Sequence, residues 1–393
     1  MLPLAGIRVI DFGRFIAGPY CAMLLADMGA DVIRVDRRQG SEDRYTGPVT
    51  ADGEGGAFLS LNRNKRSITL DTSKPQSAEI IRRLVATADV VVANLPIAVM
   101  KKMGIDYDAL QSIKPDIILA RISAFGPDGP YANRLGFDAV AQAMSGAMSL
   151  TGFPDCPTRS VVSFEDYGTA LHTAFGVMVA LYHRARTGEG QIVDGSLLAT
   201  AVTLMQAFLA EKSVVGIDRE PRGNAGFYSA PADAYRTKDG WIIVQVIGED
   251  MFGRWARLVG RPELIGDPRF ADDLGRADHR AIVTEAMNAW LAGRTNAEAI
   301  AEFQAARVPA GPVQTTAEVL NDPQVIARDL LRYLDYPGAA KPVPLADTAV
   351  RLSATPGGIR KRAPQLGEHT NEVLSQVWFT ASEIEALRSL EVI

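Results

Sequence analysis

Ile7-Arg8-Val9-Ile10-Asp11-Phe12 is a short apolar run carrying only Arg8 and Asp11 as charges, and Asp31-Val32-Ile33-Arg34-Val35-Asp36 has the same make-up after a turn at Gly29. Both read as buried strands. Between them, Gly18-Pro19 reads as a turn leading into a helix through Cys21-Ala22-Met23-Leu24-Leu25. Outward from this pair the alternation continues. Ser67-Ile68-Thr69-Leu70-Asp71 is a third short strand, and residues 79–88 carry apolar side chains at helical spacing. Asp89-Val90-Val91-Val92-Ala93-Asn94 and residues 116–122 are further apolar strands. Strands alternating with helices predict a large α/β domain built on a doubly wound, Rossmann-like parallel sheet covered on both faces.

Residues 166–186 read as one long helix, with Tyr167, Leu171, Phe175, Val179 and Leu181 near one face, stopped by Thr187-Gly188-Glu189-Gly190. Another strand at 191–194 and a long helix to about residue 214 follow. The Arg- and Gly-rich stretch 218–226 reads as a linker into a smaller α+β unit. That unit holds a strand at 241–246 and helices near 251–259 and 279–292. The expected organisation is a large domain over 1–217, a small domain over 231–313, and a segment 314–393 that returns to the large domain and closes with a helix from Ala381.

Composition narrows the function classes. At 393 residues the chain is long for one core, and 47% hydrophobic with 22% charged residues marks it as globular. A net charge of −5 without any basic block argues against nucleic acid and anionic membrane as partners. No apolar run reaches membrane-spanning length. Cys21 and Cys156 form neither a metal spacing nor a disulfide framework, and His172, His183, His279 and His369 are scattered, so no metal site and no histidine triad is expected. A reducing cytoplasm is the expected compartment.

Asp166 stands at the predicted start of the long helix. One reading makes it, or its neighbour Glu165, an N-cap. The other makes it a nucleophile: backbone N–H groups and the dipole at a helix start would keep its carboxylate ionised, and an ionised carboxylate attacks a thioester without a partner base. The turn 13–19 lies where doubly wound sheets bind nucleotides, but it lacks the glycine fingerprint. Asp36 ends a strand where a ribose-binding acid sits in dinucleotide folds. Arg37 and Arg38 follow it at once, and a basic pair suits phosphate better. Asn62-Arg63-Asn64-Lys65-Arg66-Ser67 is a second basic segment, open to the same readings of phosphate contact or solvated charge.

The chain resembles the class III CoA-transferase family, which contains formyl-CoA transferase and carnitine CoA-transferase. The resemblance rests on Leu4-Ala5-Gly6-Ile7-Arg8-Val9-Ile10-Asp11, Ala17-Gly18-Pro19, Asn64-Lys65-Arg66-Ser67-Ile68, Phe137-Asp138-Ala139-Val140-Ala141-Gln142, Arg186-Thr187-Gly188-Glu189-Gly190-Gln191 and Gln365-Leu366-Gly367-Glu368-His369-Thr370. It implies a CoA-transferase working through aspartyl-anhydride and aspartyl-CoA intermediates, with Asp166 in Asp166-Tyr167-Gly168-Thr169-Ala170 as the nucleophile. It implies CoA or acyl-CoA as substrate with no permanently bound cofactor, and an interlocked homodimer. Arg37, Leu70 and Asn94 match positions holding the CoA nucleotide and pantetheine. Phe15 and Ile16 match a turn lining the thioester site, and Lys102, or equally Lys101, matches a basic position near the phosphates. Gly226, Phe227 and Tyr228 match the loop shielding the acyl-enzyme. That loop is glycine-rich in oxalate-specific members, and the two aromatics here argue against formate and oxalate.

Three rival readings remain. A 2-methylacyl-CoA racemase of the same fold resembles Gly-His-Asp where this chain has Gly136-Phe137-Asp138, and phenylalanine cannot carry a proton. An NAD-dependent dehydrogenase lacks support beyond Asp36 and the strand alternation. A non-catalytic CoA-binding protein is opposed by Asp166. Mid-sized dicarboxylates such as succinate suit the Arg-rich surroundings.

Overall fold

The computed structural model describes residues 1–393. Its contacts divide the chain into two compact units. The first comprises 1–147, 160–217 and 324–393, and the second comprises 148–159 and 218–323.

The first unit is built on a parallel sheet of β1 (Arg8–Asp11), β2 (Asp31–Asp36), β3 (Arg66–Thr69), β4 (Val90–Ala93), β5 (Ile118–Ser123) and β6 (Ile192–Ser196), in the order β3-β2-β1-β4-β5-β6. Order reverses between β1 and β4, which makes their carboxyl ends a topological switch point. The strand sequences explain the layering. Val9, Val32, Val90, Val92, Ile118 and Ala120 point into one core with α1 (Ala17–Asp27) and the long helix. Their alternates Ile10, Ile33, Val91, Ala93 and Leu119 point into the opposite core with α2 (Ser77–Ala86), α3 (Ile97–Met103) and α4 (Tyr107–Ile113). A two-residue side-chain period with both phases apolar is what a sheet covered on both faces demands.

On the first face, α5 (Asp138–Met144) precedes α6 (Phe164–Thr187), and α7 (Leu197–Leu204) with α8 (Gln206–Val215) follow β6. Gly188, at φ 78°, ends α6 in the left-handed conformation. Three local expectations are corrected. Gly18 and Pro19 lie inside α1, whose first turn tolerates proline because its N–H needs no intrahelical partner. The helix after β6 breaks at Met205, with α7 and α8 at 62° to each other. The buried face of α6 is Thr169, Ala170, Thr173, Ala174, Val177, Ala180 and Leu181, so small side chains seat the helix closely. Leu171, Phe175 and Val179 are exposed.

In the second unit, antiparallel strands β7 (Ala232–Arg236), β8 (Trp241–Gln245) and β9 (Ala310–Pro312) run in the order β9-β8-β7. Helices α9 (Glu249–Leu258), α10 (Arg280–Leu291) and α11 (Asn296–Ala305) contribute Trp255, Met287 and Phe303 to its core. In the first unit, α12 (Thr370–Gln376) and α13 (Ala381–Ser389) add Val373, Leu374 and Ile384 to the core containing β3 and β4. The sequence pattern missed α12. No single helix is long and apolar enough to cross a membrane.

Candidate active site

A cavity of about 220 Å³ opens at the carboxyl ends of β1, β4 and β5. Arg14, Phe15, Asn94, Ser123, Phe137 and Asp166 are among the residues lining it. These residues bring five separate stretches of sequence together at the switch point.

The turn after β1 is fixed atom by atom. Gly13 N–H donates to Asp11 at 2.7 Å, Arg14 N–H to Asn94 Oδ1 at 2.7 Å, and Phe15 N–H to Asp43 at 3.1 Å. The N–H groups of Gly13, Arg14 and Phe15 are thus spent on side chains. Gly13 is required by close approach, since a Cβ there would lie 2.9 Å from the Gly18 backbone. Phe15 holds a φ of 61°, unfavourable for a bulky residue, and its ring meets Phe137 edge-on at 5.4 Å. Ile16 is half-buried at the N-cap of α1 and does not line the cavity.

Beneath the turn lies a buried ionic network. Lys65 Nζ donates to Asp11, Pro19 and Asn62 at 2.8–2.9 Å, and Arg34 bonds Asp36, Gly13, Asn62 and Asp43. Asp36 is also paired with Arg44 at 2.8 Å and accepts from Ser67. Asp36 is therefore a structural carboxylate, neither solvated nor free for a ribose. The basic segment 62–67 is equally committed, because Arg63 pairs with Asp27, Lys65 with Asp11 and Arg66 with Asp31 and Glu372. Both of its sequence readings are replaced by buried or half-buried ion pairs.

Asp166 is half-buried and is the third residue of α6. The N-cap is Ser163, which makes no side-chain capping bond, so neither Asp166 nor Glu165 caps the helix. Instead Asp138 Oδ2, from α5, accepts from the N–H of Glu165 at 2.8 Å and of Asp166 at 3.2 Å. Phe164 N–H bonds Val162 and Tyr167 N–H bonds Ser163. The helix start consequently offers no spare N–H to hold Asp166 ionised or to stabilise an oxyanion. Burial, then the nearby Asp138 charge, pushes the Asp166 carboxyl up to about 7. Glu165 is also raised to about 7, by burial first and then by Asp138 and Asp166. Its side chain is fully buried and neither oxygen has a partner. Asp138 was not singled out as a site residue because its role arises from the packing of α5 on α6. No group of three or more His, Cys, Asp or Glu side chains could hold a metal ion.

The remaining predicted positions are dispersed. Arg37 is exposed beyond β2 and lies 3.5 Å from Glu42. Leu70, just past the end of β3, is buried in the core, and its N–H bonds the Asp36 carbonyl at 2.9 Å. Asn94 lines the cavity but directs its amide at Arg14, accepting at 2.7 Å and donating at 2.8 Å. Lys101 and Lys102 are exposed in the last turn of α3 and do not line the cavity. Gly226, Phe227 and Tyr228 belong to the second unit, where Gly226 N–H bonds Ala232 and Arg219 lies over both aromatic rings.

Comparison with known proteins adds what geometry alone does not. The model for CoA-transferase family III matches residues 4–370. The succinyl-CoA–D-citramalate CoA-transferase of Chloroflexus aurantiacus is 35% identical over 100% of this chain and 98% of its own length. The succinate–glutarate CoA-transferase of Agrobacterium fabrum is 35% identical over 95% of this chain and 96% of its own. A crystal structure of a CAIB/BAIF family protein from Brucella suis superposes with a TM-score of 0.85 at 35% identity, covering 96% of this chain and 99% of that one.

Proposed function

The chain belongs to CoA-transferase family III and is a CoA-transferase, and from that premise we propose that Asp166 is the nucleophile through which it moves CoA between dicarboxylic acids. The observation carrying this reading is the position of Asp166 on the wall of the cavity at the switch point. Succinyl-CoA is the natural first donor to test, since the compared transferases are named for succinate or succinyl-CoA.

The Asp166 carboxylate attacks the donor thioester carbonyl, the C–S bond breaks, and a mixed anhydride and CoA thiolate result. The thiolate attacks the aspartyl carbonyl, releasing the donor acid and leaving an aspartyl-CoA thioester. The acceptor carboxylate attacks that thioester, again expelling the thiolate and forming the second anhydride. Attack of the thiolate on its acyl carbonyl gives the new acyl-CoA and restores Asp166. Every attacking group is an anion and every leaving group a carboxylate or thiolate, so no histidine base is needed. Tetrahedral oxyanions formed on this route need N–H donors, which the start of α6, with its N–H groups spent, does not supply.

In this reading the pantetheine arm follows an adjoining cavity of about 300 Å³, which shares Asn94, Leu95 and Pro96 with the first. Arg37, Leu70 and Lys102 take the nucleotide-binding role that their match to the family implies, Phe15 and Ile16 belong to the turn matched to the thioester site, and Gly226, Phe227 and Tyr228 to the loop matched to shielding the acyl-enzyme. The working form is an interlocked homodimer, supported by the exposed apolar stripe Leu171, Phe175, Val179 and Tyr182 on α6. Its compartment is the cytoplasm, in keeping with two free cysteines.

The test is to incubate the protein with succinyl-CoA, trap with hydroxylamine and map the modified peptide. An adduct on Asp166, with transfer lost in Asp166→Ala while CoA binding persists, supports the mechanism. An adduct on Glu165, or transfer surviving in Asp166→Ala, refutes it. A racemase would exchange the α-proton of a 2-methylacyl-CoA for deuterium, and a non-catalytic CoA-binding protein would bind CoA and transfer nothing.

A further inference from the structure

The first turn of α6 presents two adjacent carboxylates, of which Glu165 is fully buried and Asp166 lines the cavity. Successive residues of a helix point about 100° apart, so a rotation of this end by that angle would turn Glu165 to where Asp166 now points. The helix cannot fix its own end by the usual means, because Ser163 makes no side-chain cap. One carboxylate from a different helix does so instead. Asp138 Oδ2 accepts from both Glu165 and Asp166 N–H, at 2.8 and 3.2 Å. Its other oxygen is bonded by Gln142 Nε2, and Gln142 Oε1 accepts from Ser160 N–H at 2.9 Å, tying down the strand of chain that leads into α6.

We propose that Asp138 is a positioning residue for the transfer reaction: it caps α6 from α5, sets the rotation of its first turn and so aims Asp166, rather than Glu165, into the cavity. The proposal rests on Asp166 being the nucleophile. It has a second consequence, since Asp138 places a negative charge beside that nucleophile. The Asp166 carboxyl is raised by burial and next by Asp138. Its other ionisable surroundings are Glu165 and Tyr167 on α6, Tyr20 on α1 and Arg14 on the turn after β1. A carboxylate held this way is a stronger nucleophile once ionised, and it is ionised only as pH rises through neutrality.

Two variants separate aim from charge. Asp138→Asn keeps an acceptor oxygen for the two N–H groups and removes the charge, giving up only the oxygen that accepts from Gln142 Nε2, whereas Asp138→Ala removes every acceptor and the charge. Steady-state kinetics with succinyl-CoA should show kcat of Asp138→Ala lowered about 100-fold, the scale of a misplaced reacting group, with KM within about threefold. Asp138→Asn should recover a large part of that loss and move the acid limb of kcat/KM about one pH unit lower. Circular dichroism and CoA binding, measured on both, verify folding. The idea fails if Asp138→Ala keeps wild-type kcat, or if Asp138→Asn is as inactive as Asp138→Ala with its acid limb unmoved. Hydroxylamine trapping on the wild type distinguishes the two readings: an adduct away from Asp166 overturns the nucleophile assignment, while these kinetic outcomes with the adduct on Asp166 overturn only the role of Asp138.

Discussion

Asn94, at the end of β4, holds Arg14, in the turn after β1, by both backbone polar groups: its Oδ1 accepts the Arg14 N–H at 2.7 Å and its Nδ2 donates to the Arg14 carbonyl at 2.8 Å. The side chain thereby closes the gap at the switch point and fixes the turn that carries Phe15. A position matched to ligand contact is also a staple between strand ends. Asn94→Ala leaves two half-buried backbone groups unpaired, at a cost of about 1–3 kcal/mol. Urea unfolding should show that loss together with a raised KM for CoA esters. Unchanged stability would mean that the staple contributes nothing.

Arg37 is the opposite case. It is mostly exposed and its one ion pair, with Glu42 at 3.5 Å, is of the kind that contributes little to folding. Arg37→Ala should leave the unfolding midpoint in place. A charge-assisted phosphate contact of about 1.5–3 kcal/mol corresponds to a KM for CoA donors raised about 10- to 150-fold. An unaltered KM for every active donor would remove Arg37 from the CoA site.

The parallel sheet was legible because its strands are apolar in both phases of the two-residue period, as in Val90-Val91-Val92-Ala93, and because Gly and charged residues bracket them. The outward face of α6 was not, since periodicity finds Leu171, Phe175 and Val179 on one stripe but cannot say whether that stripe faces the core or leaves the monomer. The same limit governs charge. Arg34, Asp36, Lys65 and Arg66 look like surface or ligand charges in one dimension; Arg34 meets Asp36 along its own strand, but only tertiary folding pairs Lys65 and Arg66 with partners 54 and 306 positions away. Asp166 was found by resemblance. Its environment depends on Asp138, 28 residues away, and no local pattern encodes that contact.

Lys65 tests the buried network under the site. Its ammonium is fully buried, with Asp11, Pro19 and Asn62 as acceptors at 2.8–2.9 Å. Lys65→Met preserves the stem but leaves the Asp11 carboxylate buried without its counter-charge. Breaking such a pair from one side costs about 3–5 kcal/mol, more than the pair itself contributes over an apolar replacement. The unfolding midpoint should fall steeply, and Asp11→Leu/Lys65→Met should recover part of the loss. A double variant no better than the single one would show that the remaining partners, not the stranded charge, set the cost.

Glu165 makes stability depend on pH. In the unfolded chain its carboxyl ionises near the usual glutamate value of about 4.3. In the folded protein burial, with Asp138 and Asp166 nearby, raises it to about 7. Below pH ~4 the group is neutral in both states and contributes no difference. Between the two values only the unfolded chain releases the proton, so the folded state loses relative stability as pH rises, and above the folded value the full cost remains. A shift of this size corresponds to a cost on the order of 3–4 kcal/mol at pH 8. Glu165→Gln keeps the shape and removes the ionisation. Any cost of burying the amide appears at every pH, so the difference between variant and wild type isolates the proton. The variant should gain stability relative to wild type on going from pH 4 to pH 8 in urea unfolding, by an amount on the order of the cost above. Asp166 titrates in both proteins, and the charge coupling it shares with Glu165 forms part of the measured difference. A gap between the two proteins that does not change with pH would show that Glu165 ionises in the folded state as it does in the unfolded one, and that its two unpartnered oxygens find water.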